Sequence, residues 1–143
     1  MSCSFIGMPA TDADLQLVLT AFKEFDFHAD LDEYYRRFWH PEAVIESVDG
    51  FPVPGRYEGL DGYRRWFQEA YAPYEDVERR LDSIGIEGDC ILALMTISGH
   101  PRDDDLELEV QTGSAYEVAD GRINRLSVYV GHERAVLAVR TRR

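Results

Sequence analysis

At Pro73 the spacing of apolar residues changes from helical to alternating, and this change decides which class of fold is open to the chain. Ahead of it, Leu15, Val18, Leu19, Phe22 and Phe25 recur at i, i+3, i+4, i+7 and i+10, the stripe of an amphipathic helix over residues 12–25. Thr11, followed three residues later by Asp14, is its N-terminal capping signal. Leu31, Tyr34, Tyr35, Phe38 and Trp39 repeat the spacing in a second predicted helix, capped by Asp30 with Glu33 and stopped by Pro41. A strand is expected from Ala43 to Val48, running into the turn-rich segment Asp49 to Gly55. A third helix covers about 60–72 with the stripe Leu60, Tyr63, Trp66, Phe67, Ala70 and Tyr71, and Pro73 ends it.

Beyond Pro73 four strands are predicted, over 77–86, 90–98, 106–118 and 122–130. Their connections are short. Asp120-Gly121 is a strong tight-hairpin signal, so successive strands should form an antiparallel meander. Residues 132–139 read either as a short terminal helix or as an extension of the last strand. Helices first and an antiparallel sheet afterwards is the layout of an α+β domain with helices packed on one face of the sheet. At 143 residues the chain fits a single domain, with a core of about 12–139.

The net charge of −12 disfavours binding to phosphate backbones or acidic lipid surfaces, so neither a nucleic acid nor a membrane is an expected partner. The basic end, with Arg134, Arg140, Arg142 and Arg143, reads as a solvated tail after a last helix. No run approaches the length of a membrane span, and residues 1–10 lack the pattern of a secretory leader. Cys3 and Cys90 are too few for a disulfide framework, and Cys90 opens a strand-like apolar run. A reduced thiol and a cytoplasmic location are the expectation.

The aromatics are lopsided: fourteen of seventeen lie between Phe22 and Tyr74. Aliphatic strands covered by helices with aromatic inner faces either enclose an apolar cavity or form a plain core, and the spacing alone leaves both open.

Three segments resemble a known family. They are Phe38 to Val48, Gly55 to Phe67 with Gly55, Gly59 and Gly62 ahead of Trp66, and Asp120-Gly121-Arg122-Ile123 running to Ala135. Together they resemble the SnoaL-like branch of the nuclear transport factor two superfamily, which also contains ketosteroid isomerases, scytalone dehydratase and polyketide cyclases. The resemblance implies a conical α+β fold of three N-terminal helices on a strongly curved, mostly antiparallel sheet. It also implies a pocket between helices and concave sheet face, and a homodimer through the convex face.

The residues depart from the catalytic patterns of that superfamily. Where ketosteroid isomerases carry a basic aspartate after a glutamate, Glu46 is followed by Ser47, whose hydroxyl abstracts no proton unaided. Residues 12–25 hold no tyrosine, and the penultimate strand offers Thr112 and Ser114 in place of the aspartate of the oxyanion hole. The late acid/base aspartate of SnoaL-type cyclases is missing too, since residues 110–119 contain only Glu117 as an acid.

The remaining acid/base candidates are Asp49, at the start of the Gly/Pro loop, and His40, between the second helix and the first strand. Tyr34, Trp39, Ser47, Tyr63, Phe67, Ser114 and Tyr116 are the ligand-binding candidates. Each has a structural alternative: Asp49 as a turn former, His40 as a helix-end residue, the aromatics as core. Arg125 and Tyr129 either point inward as polar anchors or lie on the convex face, where Arg125 would meet Glu107 or Glu109. His28 and Asp30 form an H-x-D pair, but Asp30 already serves as a cap. His100 and His132 stand alone, so neither a metal site nor a cofactor is expected. The function expected is binding of a small hydrophobic molecule, with or without cofactor-free isomerisation, cyclisation or dehydration of a carbonyl substrate. The alternative is a non-catalytic binding or dimeric assembly module.

Overall fold

A computed structural model describes residues 9–27 and 29–141; Cys3, His28, Arg142 and Arg143 lie outside the described residues. Helix α1 (Asp12–Glu24) starts on the capping pair, the Asp14 amide donating to Thr11 Oγ1 at 3.2 Å and the Thr11 amide to Asp14 Oδ2 at 3.0 Å. Helix α2 (Leu31–Phe38) starts at Asp30, whose Oδ1 accepts from the Asp32 and Glu33 amides. The chain then passes straight into β1 (Trp39–Ser47), which begins four residues earlier than the sequence suggests. Pro41 drives the residue before it to extended geometry, and its missing N–H falls where the pairing of β1 with β6 is irregular, between Trp39 and Val44.

The turn-rich loop, with a cis bond at Phe51-Pro52, leads into a short strand that the sequence hides among its glycines, β2 (Gly55–Glu58), paired antiparallel with β1. Helix α3 (Gly59–Tyr71) follows. Its Gly62 lies so close to β2 that a Cβ there would stand 3.0 Å from the Tyr57 carbonyl carbon, so the missing side chain lets helix and strand touch.

Strands β3 (Tyr74–Glu87), β4 (Cys90–Pro101), β5 (Leu108–Ala119) and β6 (Arg122–Val130) form the expected meander. The six-stranded sheet has the order β2-β1-β6-β5-β4-β3, antiparallel throughout except for β1 beside β6. Register irregularities after Leu81 in β3 and Glu117 in β5 bend the strands, as bulges do. α1 supplies Val18 and Ala21, and α2 and α3 their buried aromatic faces, to one core with the concave face of the sheet, through residues such as Tyr35, Phe38, Tyr63, Trp66, Ile91, Met95 and Leu126.

Residues 132–139 fall in a fourth helix, α4 (His132–Thr141), which resolves the choice the sequence left open. It packs on the convex face, where Ala135 and Val139 close a second cluster with Cys90, Leu92, Ala115 and Tyr129. His132 Nε2 lies 3.0 Å from the Met95 carbonyl oxygen, and Arg140 donates to Glu87 Oε1 at 2.9 Å, pinning the helix at both ends. Arg125 and Tyr129 belong to this convex side. Arg125 donates to Glu46 at 2.8 Å and stands 3.9 Å from Glu117, so its partners come from the flanking strands β1 and β5 and not from Glu107 or Glu109.

Candidate functional site

Between the helices and the concave face lies a cavity of about 50 Å³. α1 contributes Val18, Ala21 and Phe22, α2 contributes Tyr34, and α3 contributes Tyr63, Trp66 and Tyr71. Thr112, Ser114 and Tyr116 of β5 and Ile123, Leu126 and Val128 of the neighbouring β6 form its floor. Trp39, Phe51 and Pro52 close the β1 end, and Arg79 reaches in from β3. Strand alternation explains the floor: Thr112, Ser114 and Tyr116 share one face of β5, and Gly113 and Ala115 turn away towards α4.

The aromatic wall is fixed by ring contacts and by two phenol bonds. Tyr63 lies 5.0 Å from Tyr35 and 5.2 Å from Trp39, centroid to centroid. Tyr34 donates to the Ala21 carbonyl at 2.5 Å and ties α2 to α1, while Tyr35 donates to the His40 carbonyl at 2.8 Å. Burial pushes the Tyr34, Tyr63, Tyr71 and Tyr116 phenols above their ordinary range, against the opposing pull of the Arg79 charge. At neutral pH all four therefore keep their protons and can donate them in hydrogen bonds.

Two polar atoms of the wall lack a partner among the described residues: Nε1 of Trp66, a residue 7% exposed, and Oγ1 of Thr112, 1% exposed. Leaving a buried donor or acceptor unmade costs about 1–3 kcal/mol each. Among the described residues the lining contains no Asp, Glu or His, so every ionisable group there is an arginine or a phenol. Such a wall offers donors to an oxygen and no general base.

A second space, an apolar groove of about 190 Å³, shares Phe51, Pro52, Tyr71 and Ile97 with the cavity and extends along Val77, Leu108 and Val110. The Phe51-Pro52 loop thus stands between the two. No cluster of His, Cys, Asp and Glu among the described residues could hold a metal ion. Among the described residues no helix is long and apolar enough to cross a membrane.

Residues 17–126 match the model of the SnoaL-like domain. The chain belongs to this SnoaL-like family. No curated protein matches it. Among solved structures, an NTF2-like protein from Burkholderia thailandensis is 19% identical with a TM-score of 0.68, over 90% of this chain and 98% of that one. An LEH-like epoxide hydrolase of M. tuberculosis is 18% identical at a TM-score of 0.63, over 92% of each chain. TerC, co-crystallised with polyporic acid, is 13% identical at a TM-score of 0.70, over 87% of this chain and 98% of TerC. At these identities the likeness is one of fold.

Within the SnoaL-like fold, Tyr34, Trp39, Tyr63, Ser114 and Tyr116 meet on the cavity wall. Ser47 is buried beside Val128, its Oγ without a partner among the described residues, but it does not reach the wall. Phe67 turns to the other side of α3 and packs on Phe25, Phe27 and Tyr71, at an outer cleft. Asp49 accepts from the Val130 amide at 2.9 Å and from Arg134 at 3.0 Å, which joins the loop after β1 to β6 and α4. His40 Nδ1 accepts from the Glu42 amide at 3.1 Å. Neither Asp49 nor His40 is on the wall.

The wall also holds Arg79, Trp66, Tyr71 and Thr112, which sequence reasoning did not single out as site residues. A signal for Arg79 existed. Val77, Arg79 and Leu81 alternate along β3, so the arginine occupies an apolar face.

Proposed function

We propose that this SnoaL-like protein binds a small organic molecule with an apolar body and an oxygen acceptor, held in the conical cavity without a cofactor. The observation that carries the reading is the pair of partnerless buried groups in the cavity lining, Trp66 Nε1 from α3 and Thr112 Oγ1 from β5. Polar atoms of a bound molecule would relieve them, and the aromatic rings beside them suit a flat or slender body. TerC, a protein of the same fold, holds polyporic acid in its crystals, which supports this use of the scaffold.

Catalysis is the second reading, favoured by the ring of protonated phenols around Arg79, which suits a developing oxyanion. Isomerisation, cyclisation or dehydration there would need its proton acceptor from the substrate or from solvent, because among the described residues the wall carries no carboxylate or imidazole. Binding is therefore the preferred role. A second copy of the chain on the convex surface left uncovered by α4 is part of the same proposal, after the habit of the superfamily.

The test is mass spectrometry of small molecules released on denaturing protein purified from cells, followed by calorimetric titration of whatever is released. A stoichiometric compound whose affinity falls in Thr112→Val is the expected result. Release of nothing, together with no saturable binding of aromatic ketones, acids or alcohols, would overturn the reading.

A further inference from the structure

Four arginines on or against the sheet are matched to acids, and Arg122 donates instead to the Arg37 carbonyl. Arg80 pairs with Asp82, Arg125 with Glu46, Arg134 with Asp49 and Arg140 with Glu87. Arg79 appears in none of the ion pairs among the described residues, although acids outnumber bases by 27 to 15 in the chain. It is partly buried, and among the described residues it is the sole cation on the cavity wall. Its guanidinium carbon lies 4.4 Å from the Phe25 ring centroid and 4.9 Å from that of Phe22. Stacking of this kind holds the planar group by its faces; one N–H edge is shared with the Tyr71 hydroxyl and the others remain for a ligand.

We infer that the ligand is an organic monoanion, a carboxylate or acidic enol, whose charged oxygen sits on Arg79 while its apolar body extends into the adjoining groove. The inference rests on the cavity-binding reading above and adds the charge of the ligand. A neutral polar ligand would satisfy Trp66 and Thr112 but leave a partly desolvated guanidinium without a counter-ion. An anion satisfies all three, and charge-assisted bonds are about twice as strong as neutral ones. The spaces divide in the same way. About 50 Å³ of cavity takes a small head group. About 190 Å³ of groove, walled by Val77, Leu108 and Val110 and sharing Phe51 and Tyr71 with the cavity, takes the body once the Phe51-Pro52 loop between them gives way. Among the described residues Glu109 is the one acid at the groove and lies away from the cavity wall, so it does not neutralise Arg79 there.

Calorimetric titration with two matched pairs, cinnamate with cinnamyl alcohol and naphthoate with naphthylmethanol, tests the inference. The wild-type protein should bind each acid roughly tenfold more tightly than its alcohol, as expected for a charge-assisted pair. Arg79→Met should bring each pair to within about twofold by weakening the acid alone. Arg79→Lys should retain part of the preference, because the charge remains while the fork is lost. Near-UV circular dichroism checks that each variant is folded, and Arg79→Gln replaces Arg79→Met if the latter is not. Equal binding of acids and alcohols to wild type, or a preference that survives loss of the charge, overturns the inference while leaving the cavity reading intact. No binding by any of the four probes overturns the inference and counts against the cavity reading as well.

Discussion

Gly113 of β5 lies directly beneath Ala135 of α4, and a methyl group on Gly113 would overlap the Ala135 side chain. Relief requires movement of backbone, because Ala135 has no flexible end to turn aside. Gly113→Ala should therefore lift α4 from the convex face and destabilise the protein by about 1–3 kcal/mol, the usual range for overpacking. Urea denaturation measures the loss. Gly113→Ala combined with Ala135→Gly should recover most of it, and failure to do so would mean that the contact is not the cause.

Thr112→Val removes a buried hydroxyl that has no partner among the described residues. The free protein should be as stable as wild type or up to about 1 kcal/mol more stable, since an unmade hydrogen bond is replaced by a methyl group. Affinity for the bound molecule should fall roughly two- to tenfold over the same range of hydrogen-bond energies. A melting temperature that drops together with affinity would assign the hydroxyl a structural role instead.

Asp49 holds the loop after β1 against β6 and α4 through the Val130 amide and Arg134. Asp49→Asn keeps an acceptor for the amide and loses only the ion pair with Arg134, so stability should fall by less than about 1 kcal/mol. Asp49→Ala loses both and should cost roughly 1–2 kcal/mol. Ligand affinity, followed by calorimetry, should change little in either. A turnover lost in Asp49→Asn with binding retained would make this carboxylate an acid/base after all.

His100 Nε2 lies 2.9 Å from Asp76 Oδ2, and that hydrogen bond, with the His100 contact to the Pro101 carbonyl, raises the imidazole above its ordinary pKa of 6.5. The folded state thus holds the proton more tightly than the unfolded chain. This contribution is fully present below the unfolded value and is lost as pH rises through the higher folded one. Wild type should therefore lose denaturant resistance relative to His100→Gln on going from about pH 5.5 to about pH 8.5. Parallel pH profiles for the two proteins would rule out the coupling.

Local signals were the legible ones. Thr11 with Asp14, Asp30 ahead of α2, and Asp120-Gly121 between β5 and β6 each act within a few residues, and each sits where its chemistry predicts. The hairpin even shows the required positive φ, 54° at Asp120 and 74° at Gly121. Pro41 misled because its cost to a strand is absorbed by irregular pairing with β6, a partner over eighty residues away that local reading does not consult. Tyr34, Tyr63 and Tyr116 were legible because inward aromatic stripes and strand alternation both aim at the core. Arg79 was legible only as an arginine on an apolar strand face, because its meaning lies in Phe22 and Phe25 stacked upon it and in the carboxylates that stay away. These are facts of packing, which no spacing rule carries.

The parallel seam between β1 and β6 sets the order in which the molecule can be finished. Trp39 meets Ile123 and Ser47 meets Val128, so the first strand to be synthesised waits for the last. The rings of α2 and α3 have no floor at Leu126 and Val128 until that last strand arrives. The meander from β3 to β6 needs only near neighbours and can assemble first, with the aromatic half laid over it afterwards. A nascent chain that has emerged only as far as Tyr74 therefore exposes nearly all its aromatic surface at once, and its safe passage depends on the speed with which the plainer, aliphatic half follows.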